Sequence, residues 1–113
     1  MLISFDSIGQ QCVTVKANGT PVARAVCKFS SNCAVEPCAD GDAINGFVEN
    51  IRGKYATVTV HGFITTGYSG TAPTVGYCAL AGAEENKVKV LSGAKEYLVV
   101  TVNESEKTVT FLL

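Results

Sequence analysis

Gly46-Phe-Val-Glu-Asn-Ile-Arg-Gly-Lys-Tyr-Ala-Thr-Val-Thr-Val-His-Gly-Phe-Ile64 is the stretch from which the fold is read. From Ala56 onward the apolar positions fall on every second residue: Ala56, Val58, Val60, Gly62 and Ile64. Thr57, Thr59, His61 and Phe63 lie between them. A period of two with β-branched side chains predicts a strand with one face in a core and the other at least half solvated. Gly46 to Ile51 reads as its partner, and Arg52-Gly53-Lys54 supplies a tight polar turn containing a residue tolerant of positive φ. The stretch is therefore a β-hairpin.

Working outward, the same short rhythm repeats. Gln10 to Ala17 alternates and ends at Asn18-Gly19, a turn signal between two short strands. The second of these is Pro21 to Phe29, with the proline near its start, where it is tolerated. Ala34-Val35-Glu36 is a brief strand closed by Pro37, and Asp40-Gly41-Asp42 is a turn feeding the central hairpin. Beyond the hairpin, Thr65 to Pro73 is the longest run of Gly, Ser, Thr and Pro and reads as a loop. Thr74 to Ala81, Lys87 to Leu91, Tyr97 to Val102 and Thr108 to Leu113 then read as strands, the last two as a second hairpin. A single helical turn is expected at Ser92 to Glu96. Strands this short, with turns this frequent, predict an all-β fold, a small antiparallel β-barrel or β-sandwich with little or no helix.

The chain has 113 residues, room for one domain and one modest core, so residues 1–113 are read as a single β domain. Residues 1–8 are read as an N-terminal arm or an edge strand of it. The formal net charge of −1 gives no positive field to recruit nucleic acid or an anionic membrane. No run reaches the ~20 apolar residues of a membrane-spanning helix. Met1 to Asp6 lacks a basic region and a cleavage site, which predicts no signal peptide and synthesis in the cytoplasm.

Cys12, Cys27, Cys33, Cys38 and Cys78 are odd in number, which suits reduced thiols packed as small hydrophobes. Cys33 and Cys38 form one close pair without the second pair that a structural zinc site needs, so no metal is expected. His61 alternates with threonines on the solvated face, and no motif activates a nucleophile beside it. Neither a phosphate-binding glycine loop nor a dinucleotide fingerprint occurs. No catalytic residue and no cofactor follow from these patterns. A small cysteine-dependent enzyme remains as a third class, and would show one strongly reactive thiol.

From about Ala17 to Leu113 the order of signals resembles the small phage capsid cement, or head-decoration, proteins. The likeness rests on Asn18-Gly19-Thr20-Pro21-Val22 and on Asp40-Gly41-Asp42-Ala43-Ile44-Asn45-Gly46-Phe47-Val48. It continues through Ala56 to Ile64 and the Tyr68-Ser69-Gly70 loop. The resemblance implies a non-enzymatic structural protein of the virion that coats the outside of an assembled head. Its partners would be the major capsid protein and copies of itself, as a homo-oligomer. Leu2, Ile3 and Phe5 in the arm, with Tyr68, Ser69 and Pro73 in the loop, are the candidate protein contacts. The alternative is a β-sandwich module binding carbohydrate or a receptor, carried on a tail or cell surface.

Overall fold

The central hairpin forms as its alternation predicts: β4 (Gly46–Arg52) pairs antiparallel with β5 (Tyr55–His61), joined across Gly53 and Lys54. The structure, a computed structural model, describes residues 10–113. Residues 1–8, expected as an arm or edge strand and including Leu2, Ile3 and Phe5, lie outside the described residues.

Around the hairpin the N-terminal half closes into a five-stranded barrel. Its other strands are β1 (Gln11–Ala17), β2 (Ala25–Ser31) and β3 (Ala34–Pro37), in the order β1-β3-β2-β4-β5. Asn18-Gly19 does not join neighbouring strands as expected. β1 pairs antiparallel with β5 and parallel with β3, and residues 18–24 cross over to deliver β2. Pro21 has no N–H to give to a ladder, and Arg24 sits at φ +65, so the extended run begins only at Ala25.

The predicted strand from Ala56 to Ile64 is broken. At Gly62 (φ +138) the chain turns a corner, leaves the barrel and begins β6 (Phe63–Gly67) in a second sheet. A Cβ at Gly62 would stand 3.0 Å from the Gln10 Cα. Glycine is therefore needed for both backbone angle and space. The second sheet also contains β7 (Gly76–Ala83), β8 (Lys87–Val90), β9 (Glu96–Asn103) and β10 (Thr108–Leu112). Their order is β6-β10-β9-β7-β8. The sheet curls until its edges touch: Tyr68 bridges Val88, and the Ser69 N–H donates to the Val88 carbonyl at 2.9 Å. The helical turn falls at Glu84–Asn86 between β7 and β8, whereas residues 92–94 form a plain turn with Ala94 N–H donating to Leu91 O, and Glu96 already opens β9. The fold is all-β.

Two cores result. Val15, Cys27, Val35, Val48, Ala56 and Val58 fill the barrel. Phe47, Ile64, Tyr68, Leu80, Tyr97 and Phe111 are among the residues that fill the curled sheet. β2 and β4 serve both, because alternate side chains of one strand point to opposite faces. Cys27 and Val48 point into the barrel, while Val26 and Phe47 point into the neighbouring core. These strands are accordingly buried on both faces at Ala25–Cys27 and Gly46–Val48. Gly46 permits the tight fit, since a Cβ there would lie 2.5 Å from Val58 Cγ1.

Candidate functional site

The curled sheet has one face in its core and one turned outward, and cross-strand register decides which side chains share the outer face. Tyr77 on β7 stands opposite Leu98 on β9, Leu98 opposite Leu112 on β10, and Leu112 opposite Phe63 on β6. On the same strands Cys78, Tyr97, Phe111 and Ile64 alternate inward to the core. The result is an apolar row of four side chains, about 14 Å long at the usual strand spacing. Tyr77 is 72 % exposed, and Leu98, Leu112 and Phe63 are half-buried. Val75, 69 % exposed, extends the apolar surface beyond the Tyr77 end. Beside it Pro73, Val75 and residues 101–105 line an open cleft of about 490 Å³.

The candidate contact residues divide differently from expectation. Tyr68 is buried, at 3 % exposure, with its ring in the core of the curled sheet. Its N–H donates to Lys107 O, so its side chain is removed as a surface contact. Ser69 is half-buried and held by its bond to Val88, and Pro73 is buried at the wall of the cleft. The segment is a tied-down crossing whose exposed apolar residue is Val75, with Tyr77 opening the next strand. A polar loop composition hid the aromatic anchor.

At the junction of barrel and sheet lies a polar lock. Thr59 was expected on the solvated face but is fully buried, because Gln10 covers it. Gln10 Nε2 donates to Thr59 Oγ1 at 2.7 Å and to Glu49 Oε1 at 2.9 Å. The Thr59 hydroxyl in turn donates to Glu49 Oε1 at 2.9 Å. Arg24 pairs with the other Glu49 oxygen at 2.6 Å and lies 5.1 Å above the Phe47 ring centroid. Every member has partners, so the cluster fixes the corner at Gly62 rather than offering a free acid or base.

The thiols are divided by the fold. Cys27, Cys38 and Cys78 are buried, and Cys12 and Cys33 are exposed. Burial pushes the Cys27 thiol up to about 12 and the Cys38 thiol up to about 11, the reverse of what a nucleophile needs. The extended β3 holds the Cα atoms of Cys33 and Cys38 roughly 15 Å apart, too far to share a metal. Among the described residues no cluster of three or more His, Cys, Asp or Glu is placed to hold one. His61 ends β5 and is exposed, opposite Gln11. No described helix is long and apolar enough to cross a membrane.

A second cleft, of about 410 Å³, lies between the loops around Ile44 and Leu91. Its floor is apolar, and Lys95 contributes a cation 5.3 Å from the Tyr97 ring centroid. No carboxylate or imidazole is among its lining residues, so it presents no acid–base pair. Tyr97 donates its hydroxyl hydrogen to Ile44 O at 2.9 Å, which closes the bottom of the cleft.

No family model, curated protein or solved structure matches this chain.

Proposed function

We propose that the protein is a non-enzymatic structural domain that binds a protein surface, acting as a decoration protein on the outside of an assembled phage head. The observation that carries the contact face is the Tyr77–Leu98–Leu112 row. A contiguous apolar strip on a hydrogen-bonded sheet is pre-organised, so docking orders few side chains. An exposed tyrosine at its end has the chemistry of an interface anchor, an apolar ring with a polar tip. What points the surface to a capsid is the sequence resemblance. A shell repeats the same contact by symmetry, so a weak single interface suffices there.

The test is co-sedimentation of the purified protein with undecorated heads from the matching phage. The protein should pellet at a fixed stoichiometry, and Tyr77→Glu should weaken binding tenfold or more while leaving the melting temperature near that of the native chain. Protein that stays in the supernatant would overturn the capsid reading, and saturable binding to a glycan array would replace it with the carbohydrate-module alternative. Retention of full head binding by both Tyr77→Glu and Leu98→Glu would move the contact off this face.

A further inference from the structure

The barrel is closed only along part of β1. Lys16 and Ala17 face Ala34 and Val35 of β3, whereas Gln11–Val15 have β5 on one side and, among the described residues, no strand on the other. The direction of the groups left without a partner among the described residues follows from the bonds that are made. Lys16 N–H donates to Cys33 O and Asn18 N–H to Val35 O, while Ala17 N–H between them donates to Lys54 O. Successive backbone groups of a strand point to opposite sides, so Cys12 and Thr14 direct their N–H and C=O to the same side as Lys16. There β3 has not yet begun.

The side chains agree with this opening. Val13 and Val15 share a parity, and Val15 is in the barrel core. Val13 stands opposite the buried Val58 yet is 40 % exposed. Gln11–Thr14 are exposed in succession and carry no charge. A free edge is ordinarily blunted by a lysine, a proline or a short strand, and this one has none of these between Gln11 and Val15.

We propose that a second copy of this chain pairs with this edge, β1 against β1, antiparallel about a two-fold axis at Val13. The register follows from which groups have no partner among the described residues. With Val13 opposite its own copy, Cys12 of each chain faces Thr14 of the other, and each pair exchanges two N–H···O=C bonds. The next outward-facing position is Lys16, whose N–H is already given to Cys33 O, so the ladder stops where β3 takes over. The two Val13 side chains meet as a close, non-hydrogen-bonded pair and cover each other's exposed surface. Neutral residues across the axis suit self-association, because a two-fold would set any edge charge near its own copy. A charged foreign strand would find no complement. The inference stands independently of the capsid reading, since it uses the barrel and not the outer face of the curled sheet.

Sedimentation velocity of the full chain under reducing conditions, from about 10 μM to about 1 mM, tests it in the range expected of a small interface. A monomer–dimer equilibrium is expected. Thr14→Pro removes a donor that faces the free edge and spares the bonds to β5, so it should weaken the dimer tenfold or more with the fold retained. Should Thr14→Pro fail to fold, Val13→Cys in a Cys12→Ser, Cys33→Ser background gives the second reading. A non-hydrogen-bonded pair places its Cα atoms ~4.5 Å apart, within disulfide range, so mild oxidation should trap a dimer. A native chain that stays monomeric throughout overturns the proposal. So does a folded Thr14→Pro that dimerises as well as the native chain, or a dimerising background in which Val13→Cys does not cross-link.

Discussion

Val15, Cys27, Val35, Val48, Ala56 and Val58 fill the closed barrel, whereas the curled sheet beside it encloses Phe47, Tyr68, Tyr97 and Phe111. The barrel is narrow, and every interior position is small and mostly β-branched. The curled sheet encloses a space roofed by the outer wall of the barrel, filled by these four rings together with aliphatic side chains such as Ile64, Leu80 and Val99. Tyr97 and Phe111 meet edge-to-face at 5.3 Å between centroids. Among the described residues the barrel core holds no ring, whereas four rings are packed into the core of the curled sheet. The small core thus depends on shape, and the large one on buried area.

The largest effect expected from this contrast is in the aromatic core. Phe111→Ala should cost about 3–5 kcal/mol of unfolding free energy, and Val58→Ala about 2 kcal/mol, by chemical denaturation. Equal losses would mean that the barrel is as sensitive to volume as the sheet, and the contrast would fail.

A second experiment asks whether the two cores open together. Cys27 reports on the barrel and Cys78 on the curled sheet, and both are buried. Cys12 and Cys33 are exposed and should be labelled by a thiol reagent first. Because β2 and β4 are walls of both cores, Val58→Ala should accelerate labelling of Cys27 and Cys78 by the same factor. Acceleration of Cys27 alone would split the molecule into two opening units.

The smallest effect concerns the surface of the barrel. Lys28 donates to Asp42 at 2.7 Å and reaches Glu36 at 3.4 Å. Its hydrogen bond holds the Asp42 carboxyl below its ordinary range, helped by the Ala39 N–H. A folded-state pKa below the unfolded one gives stability that is present above the unfolded value and lost as pH falls through the folded value. Melting temperature should therefore fall less steeply below about pH 4 in Asp42→Asn than in the native chain. Parallel curves would show that this exposed pair contributes nothing measurable.

The sequence made the all-β class and the central hairpin legible, since alternation and the turn at Gly53 are local signals. It concealed the corner at Gly62. Ile64 continues the same alternation as Val60, and a period of two carries no mark of a strand that changes sheets. Thr59 was hidden differently: its partners Gln10 and Glu49 are 49 and 10 residues away, and no local pattern brings them together. The outer-face row was equally invisible, because Tyr77, Leu98, Leu112 and Phe63 become neighbours only through register. Tyr68 shows the converse. Its polar neighbours suggested a surface loop, and burial of its ring outweighed their composition.

Leu113 brings the chain back to the corner: its N–H donates to Gly62 O at 2.9 Å. The ribosome therefore releases every barrel strand well before Phe111, the ring that seals the neighbouring core. Until then the core over Val26 and Phe47 lacks Val109 and Phe111, and a chain stopped short of β10 would leave it open. Synthesis from the N-terminal side thus leaves this apolar core waiting for β10, which is five residues long.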